Sequence, residues 1–214
     1  MLSLIKRIFT SVVLIVTLYF ALINNLTLLL LLTAVGFLSL IEIYELLKKI
    51  FPKAKKKIIN SYLLALIYLM IFLPQLYFFA NFNYQNKLFL IYILTICIAT
   101  DVGGYIFGKL LKGKKLTKIS PNKTYSGLIG SYILSIIVFF YFYLEFNYSI
   151  NLIILTLLIS SISQLGDLFI SFLKRKANIK DTGTLLPGHG GILDRVDGII
   201  FALPIGINLF LFFK

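Results

Sequence analysis

The feature that most constrains this chain is a series of long apolar runs separated by short basic clusters. Seven runs stand out, at residues 8–23, 26–47, 61–80, 88–107, 125–146, 150–173 and 192–213. A helix needs about 20 apolar residues to cross the hydrocarbon core of a bilayer. Lipid offers no partner to backbone N–H and C=O groups, so such runs fold as helices. We therefore predict an all-α, polytopic integral membrane protein with about seven transmembrane helices.

The composition excludes an ordinary soluble domain. Of the 214 residues, 59% are hydrophobic and 14% are charged, whereas a soluble domain has about 25% charged residues. The net charge of +13 could indicate nucleic-acid binding, but the basic residues are confined to clusters between apolar runs, so we expect no nucleic-acid partner. The first run follows Lys6 and Arg7 without a small-residue cleavage site, so we do not expect a cleaved signal peptide.

The basic residues also predict an orientation. Nearly all of the 21 lysines and arginines precede the first run or follow the second, fourth and sixth, which places them on one side. Only Lys87 and Lys214 fall on the other side. Because Lys and Arg concentrate in cytoplasmic loops, the N-terminus is predicted to be cytoplasmic. Two loops on that side, 109–124 and 174–191, are the expected substrate loops.

Four aspartates lie inside the apolar runs or at their ends, toward this predicted cytoplasmic face. At 1.5 Å of rise per residue, Asp101 is about 12 Å and Asp167 about 10 Å inside it, and Asp194 and Asp197 lie about 5–10 Å inside. A carboxylate within a span is a functional candidate by default. Salt bridges to nearby lysines and arginines are one interpretation. A shared divalent cation is the other, and oxygen-only ligands favour Mg²⁺.

Glu42 and Glu45 share a helix face near the cytoplasmic end of the second run. They could join such a metal site. Pairing with Lys48 or Lys49 is the favoured interpretation, because side chains three or four residues apart on a helix are neighbours.

A first candidate phosphate loop is centred on Ser120, Lys123 and Thr124, directly before a helix that contains Gly127 and Gly130. Free N–H groups and the dipole at a helix N-terminus favour anions. An ordinary helix cap is the alternative. The glycine spacing is not that of a P-loop.

A second candidate runs from Asp167 to Gly198. Asp167 and Ser171 are four apart and Asp194 and Asp197 three apart, so each pair is expected to share one helix face. Glycines allow close backbone approach to a ligand, and an arginine can grip phosphate with two hydrogen bonds. A lone histidine in a glycine turn could be a proton donor, a phosphate contact or structural. The further candidates in this stretch are Lys174, Arg175, Lys180, Asp181, Gly188, His189, Gly190, Gly191 and Arg195.

This second stretch resembles the signature of the CDP-diacylglycerol synthase (phosphatidate cytidylyltransferase) family. The segments "SPNKTYSG" and "TDVGGYIFG" resemble two preceding family segments, although Tyr125, Ser126 and Gly104 stand where tryptophan, an acid and alanine are expected. The resemblance covers about residues 99–198. It suggests two regions: N-terminal transmembrane helices at 1–90, similar only in being helical and membrane-bound, and a catalytic transmembrane region at 91–214. The matching residues are Ser171, Lys174, Arg175, Lys180, Asp181, Gly183, Pro187, His189, Gly190, Gly191, Asp194 and Arg195.

The resemblance implies that CTP and phosphatidic acid give CDP-diacylglycerol and pyrophosphate in phospholipid biosynthesis. It implies Mg²⁺ with a second, monovalent ion such as K⁺, a homodimer, contact with membrane lipid, and an active site at the cytoplasmic face of a bacterial inner membrane. The implied catalytic residues are Asp167, Ser171, Lys174, Arg175, Lys180, Asp181, His189, Asp194 and Arg195. The implied substrate contacts are Asp101, Ser120, Lys123, Thr124, Gly190 and Gly191. The implied metal ligands are Asp167, Asp194 and Asp197.

Two other classes of function remain open at this point. Another CTP-dependent lipid enzyme, such as a polyprenol kinase or an archaeal-type lipid cytidylyltransferase, would use the same residue types. A transporter would explain acids within spans, but it predicts charges near the bilayer midplane and often internal repeats. The acids here lie toward one face and no convincing repeat is visible, so we expect an enzyme.

Overall fold

The computed structural model describes residues 2–117 and 119–213, with side chains described from Phe9 to Phe210 except at position 118. Lys118 and Lys214, and the side chains of Lys6 and Arg7, therefore lie outside the described residues. The helices are α1 (Leu2–Ile23), α2 (Asn25–Ile50), α3 (Lys55–Phe82), α4 (Tyr84–Leu111), α5 (Tyr125–Phe146), α6 (Leu152–Lys176), α7 (Leu193–Val196) and α8 (Ile199–Phe213). The chain divides into unit 1, Met1–Asn83 with Leu173–Val196, and unit 2, Tyr84–Phe172 with Asp197–Lys214.

The predicted all-α class is confirmed for the described residues. Five helices, α2 to α6, are long and apolar enough to cross a membrane, and α1 and α8 contribute shorter apolar helices at Phe9–Ile23 and Ile199–Phe210. Large apolar side chains such as Leu64 and Phe78 are 70% and 71% exposed, as a surface that faces lipid requires. The count of seven spans stays a prediction.

The seventh predicted run differs from a continuous helix. The four-residue α7 ends at Val196, Asp197 and Gly198 form a turn, and α8 begins at Ile199. The Asp197 carboxylate accepts the N–H of Gly198 at 2.9 Å, a local bond that competes with helix hydrogen bonding. A Cβ on Gly198 would lie 2.8 Å from the carbonyl oxygen of Ser163, so only glycine fits there. The prediction that Asp194 and Asp197 share one helix face is therefore wrong.

In unit 1, a single residue separates α1 from α2. The side chain of Asn24 accepts the N–H of Leu26 at 2.8 Å, which caps α2 and satisfies a donor that the helix leaves free. The inward face of α2 carries Gly36, Ser39, Glu42 and Leu46, spaced three or four residues apart as one helix stripe requires. This stripe brings one carboxylate into the interior of unit 1.

In unit 2, α4 and α5 pack closely through glycines. A Cβ on Gly127 would lie 2.7 Å from the carbonyl oxygen of Gly104, and one on Gly130 would overlap the Phe107 side chain. Small residues allow membrane helices to approach one another in this way. Buried hydroxyls add hydrogen bonds between helices, because Thr100 contacts Ser135 of α5 at 3.0 Å and Ser160 of α6 at 2.9 Å. Gly127 and Gly130 thus serve helix packing.

Candidate functional site

Each unit contains a polar cluster built around a lysine–aspartate ion pair. In unit 1, the side chain of Asp194 is only 4% exposed. Its Oδ1 accepts from the Lys174 Nζ at 2.7 Å. Its Oδ2 accepts from the Thr182 N–H at 2.8 Å, the Thr182 hydroxyl at 3.0 Å and the Gly191 N–H at 3.0 Å. Asp194 therefore ties α6, the loop at 177–192 and α7 together.

The surroundings of Asp194 decide its charge. Burial by itself raises the pKa of the carboxyl group, but the hydrogen bonds from Lys174, Gly191 and Thr182 and the charge of Lys174 outweigh burial. The net effect holds the pKa of Asp194 below its usual value. The side chain is therefore ionised at neutral pH, and it forms a charge-assisted ion pair with Lys174.

The loop before α7 makes a tight turn that presents His189. The N–H of Leu186 donates to the Gly190 carbonyl and the N–H of His189 donates to the Leu186 carbonyl, both at 2.9 Å. Gly188 and Gly190 have φ angles of 80° and 82°, which side chains rarely adopt. A Cβ on Gly190 would also lie 2.7 Å from the Asp194 Oδ2. The glycines thus allow the loop to close around Asp194.

This turn forms one wall of a polar cavity of about 610 Å³ in unit 1, within the range of small-molecule sites. Arg195 is exposed, and its Nε donates to the His189 carbonyl at 3.2 Å. The cavity brings together five of the residues implied as catalytic or substrate-binding and carries cationic groups suited to phosphates. Its lining residues are Lys180, Asp181, Gly183, Thr184, Leu186, Pro187, Gly188, His189, Gly190 and Arg195. Arg175 lies outside this lining, exposed, with its Nη1 donating to the Ile179 carbonyl at 3.5 Å.

The N-terminal helices supply two further side chains, Thr10, which carried no signal in the sequence, and Glu42, for which other partners were predicted. Thr10 of α1 is buried, and its hydroxyl contacts the His189 Nδ1. Glu42 of α2 accepts hydrogen bonds from the loop and α7. The predicted pairing of Glu42 with Lys48 or Lys49 is wrong, because Glu42 is on the inward face of α2 while both lysines are exposed at its end.

In unit 2, Lys123 forms an ion pair with Asp167. The Ser171 hydroxyl donates to the Asp167 Oδ1 at 3.3 Å, so the predicted shared face of these two residues is confirmed. Thr124 caps α5, because its hydroxyl accepts the Gly127 N–H at 3.1 Å. The Ser120 carbonyl accepts the Lys123 N–H at 3.0 Å, in a turn that holds Lys123 in place. Asp101 is exposed on α4.

The aspartates in both clusters have lysine partners. Across the described part of the chain, no group of three or more His, Cys, Asp or Glu side chains is arranged to hold a metal ion. The salt-bridge interpretation therefore accounts for Asp167 and Asp194 in the contacts that the structure shows. Metal binding by Asp167, Asp194 and Asp197 stays a prediction.

Five apolar helices of membrane-crossing length and a polar cavity next to a buried ion pair are typical of a helical integral membrane protein with a small-molecule site. The model of the cytidylyltransferase family matches residues 5–213. The chain belongs to the cytidylyltransferase family. The match includes the N-terminal helices that the sequence analysis related to the family only by their helical, membrane-bound character.

Similar proteins carry a more specific name. A phosphatidate cytidylyltransferase of Staphylococcus haemolyticus is 44% identical over 140 residues, which are 64% of this chain and 53% of that protein. One of Staphylococcus aureus is 41% identical over 138 residues, 63% of this chain and 53% of that protein. One of Rickettsia typhi is 40% identical over 149 residues, 64% of this chain and 65% of that protein. The chain thus spans about half the length of the staphylococcal relatives it matches.

Proposed function

We propose that this chain transfers the cytidylyl group of CTP to phosphatidic acid, giving CDP-diacylglycerol and pyrophosphate in phospholipid biosynthesis. Family membership supports cytidylyl transfer, and the names of the staphylococcal and rickettsial relatives support phosphatidate as the acceptor. The observation that carries the proposal is the cavity beside Asp194, where Lys180, His189 and Arg195 face one space. Three nitrogen-bearing side chains in one cavity suit a triphosphate.

The reaction depends on how the protein positions the two phosphates more than on covalent catalysis by the protein. A phosphate oxygen of phosphatidate attacks the α-phosphorus of CTP, a new phosphorus–oxygen bond forms, and the bond to the bridging oxygen of pyrophosphate breaks. Phosphatidate is already ionised at neutral pH, so no base has to remove a proton. Placement of the two phosphates and neutralisation of their charge supply the acceleration in such transfers.

Specific side chains in unit 1 are suited to these tasks. Arg195 uses its Nε on the His189 carbonyl and keeps its terminal NH₂ groups for a bidentate phosphate contact. The Thr10 hydroxyl contacts the His189 Nδ1, which holds the imidazole ring in the wall of the cavity. Lys174 stays on Asp194 and holds the loop in the shape that presents these groups.

We further propose that Asp167, Asp194 and Asp197 hold Mg²⁺, with a monovalent ion such as K⁺ nearby. Their oxygen donors fit Mg²⁺, and the 3.3 Å bond from Ser171 is the weak contact at the Asp167 Oδ1. A carboxylate has about four acceptor sites, and Asp194 already accepts three hydrogen bonds and contacts the Thr182 hydroxyl, which it shares with Glu42. The Asp167 carboxylate therefore has an acceptor position that suits a metal ion. At Asp194, a metal ion would have to bind next to the ammonium group of Lys174. When bound, Mg²⁺ neutralises phosphate charge.

The placement in the cell is part of the proposal. We propose seven spans with a cytoplasmic N-terminus, a homodimer, and an active site at the cytoplasmic face of a bacterial inner membrane. The distribution of lysine and arginine supports the orientation, and the bacterial sources of the relatives support the membrane.

A labelling experiment tests the reaction against its alternatives. The purified chain, in liposomes with phosphatidate and Mg²⁺, is given CTP labelled at either the α- or the γ-phosphorus, and lipids are separated by thin-layer chromatography. We expect α-label in CDP-diacylglycerol and no γ-label in lipid. A polyprenol kinase would move γ-label onto added polyprenol. An archaeal-type enzyme would prefer an ether-linked acceptor. Absence of both labels from all lipids contradicts the proposal and leaves a transporter.

Lys123→Ala is expected to raise the KM for CTP about tenfold or more, the equivalent of one hydrogen bond to a charged group. The change removes a half-buried cation and leaves Asp167 without its lysine. Lys114→Ala in the same loop is the matched control, because the Lys114 side chain is exposed and should change KM little. An unchanged CTP requirement in Lys123→Ala would make the Ser120–Thr124 turn purely structural.

A further inference from the structure

Glu42 is a carboxylate only 2% exposed, and its hydrogen bonds come from one segment of the chain. Its Oε1 accepts the N–H of Ile192 at 2.8 Å. Its Oε2 accepts the N–H of Leu193 at 2.9 Å and the hydroxyl of Thr182 at 2.6 Å. The ion pairs of the described side chains do not include Glu42. A buried carboxylate without a cation needs hydrogen-bond donors, and here they come from the loop before α7 and from α7 itself.

The packing around Glu42 permits this contact only because two loop residues are glycines. A Cβ on Gly183 would lie 2.9 Å from the Glu42 Oε1, and one on Gly191 would overlap both the carboxylate and the Thr182 hydroxyl. The role of Gly191 as a substrate contact stays a prediction. Its missing side chain leaves space that Glu42 and Thr182 fill.

Glu42 and Asp194 are held by the same few residues. Thr182 contacts both carboxylates, and Leu193, whose N–H bonds to Glu42, directly precedes Asp194 in the chain. Gly191 donates its N–H to Asp194 and packs against Glu42. The position of the Asp194 carboxylate is therefore fixed from α2 through one intervening residue.

We propose that Glu42 is a positioning residue: from α2 it fixes the loop and α7, and so keeps the cavity beside Asp194 in the shape that binds CTP. The part of this proposal that concerns CTP rests on the proposed function, whereas the contact between Glu42 and the loop does not. The inference gives the N-terminal helices a part in the reaction without contact to substrate.

Hydrogen exchange tests the contact without any assay of activity. The full chain in detergent is compared with Glu42→Gln and with Glu45→Gln, which makes the same charge change at an exposed position of the same helix. In Glu42→Gln an NH₂ group replaces one acceptor oxygen and faces a donor. We expect the amides of Ile192 and Leu193 to exchange about tenfold faster or more, with no change in Glu45→Gln.

Kinetics then test whether the contact matters to the reaction. Loss of a group that orients a site residue typically costs about 10- to 100-fold in affinity or activity. We expect kcat/KM for CTP to fall within this range in Glu42→Gln, with KM raised. A purely structural role would lower the yield of folded protein and leave the KM of the folded fraction unchanged. Thr182→Ser keeps the hydroxyl and should stay near wild type, whereas Thr182→Val should resemble Glu42→Gln.

Three results would overturn the proposal. The first is unchanged exchange at Ile192 and Leu193 in Glu42→Gln. The second is faster exchange with unchanged KM and kcat. The third is lost protection throughout, including α4 and α5, which would make Glu42 a folding determinant. If the wild-type chain forms no CDP-diacylglycerol, the proposed function fails by itself, and the exchange rates alone decide the role of Glu42.

Discussion

Asp167→Asn is expected to lower turnover by at least about 100-fold, the usual effect of removing one preorganised electrostatic group from a reaction site. The substitution removes the negative charge that holds Lys123 in place, and a neutral amide binds Mg²⁺ poorly. The helix itself should persist, because asparagine has nearly the same shape and the side chain is partly exposed. The measurement is kcat of the variant in liposomes with Mg²⁺, at saturating CTP.

The control for this experiment is Glu145→Gln, an acid-to-amide change at an exposed position of α5. It should retain wild-type turnover. Helix content by circular dichroism and a single peak on size exclusion establish that Asp167→Asn is folded. Near-normal turnover in the folded variant would remove Asp167 from both the metal role and the charge-pairing role.

Asp194→Asn is expected to destabilise the loop at 177–192 by about 3 kcal/mol or more, the scale for removing one partner of a buried ion pair. The amide must direct its NH₂ group either at the Lys174 ammonium or at the donors of Thr182 and Gly191. Each choice places donor against donor. We expect rapid tryptic cleavage at Lys180 and loss of turnover. Asp181→Asn, the same change at an exposed residue of this loop, is the control for cleavage and should be cut at the wild-type rate.

The pH dependence of the same loop follows from the lowered pKa of Asp194. A carboxyl group whose pKa is lower in the folded state contributes stability above its unfolded value, here 3.8, and loses it as pH falls through the folded value. Protection of the Thr182 and Gly191 amides, corrected for intrinsic exchange, should be constant from about pH 7 to 5 and fall only below about pH 4. Asp194→Asn should show weak protection at every pH, and wild-type protection that declines near pH 6 would contradict this account.

Most of the helices could be predicted because lipid imposes one simple rule on long apolar runs. The runs at 26–47 and 125–146 correspond to α2 and α5 within a few residues. The break between α7 and α8 could not be predicted, since it depends on the close approach of Gly198 to Ser163, a contact that hydrophobicity does not encode. The run at 192–213 therefore looked continuous.

The candidate site also contains residues that the sequence predicts and residues that it does not. The family resemblance predicted Asp194, His189 and Arg195 as site residues, because the residue types and the spacing of a motif can be read from a single sequence. Glu42 was assigned to nearby lysines because sequence favours local partners, whereas its real partners lie 150 and 140 residues away. A signal did exist, since an acid within an apolar run is a functional candidate. Thr182 carried none, because an uncharged hydroxyl beside Asp181 is common in loops.

The Thr182 side chain has a consequence for how α2 and α7 influence each other. Its oxygen lies 2.6 Å from a Glu42 oxygen and 3.0 Å from an Asp194 oxygen, yet a hydroxyl has one hydrogen to donate. Two carboxyl groups thus compete for a single hydrogen, and the group that does not receive it faces a lone pair of the Thr182 oxygen. The shorter distance favours donation to Glu42, and added positive charge at Asp194 strengthens that preference. One rotating bond therefore couples the charge at Asp194 to the carboxyl group of Glu42 on α2.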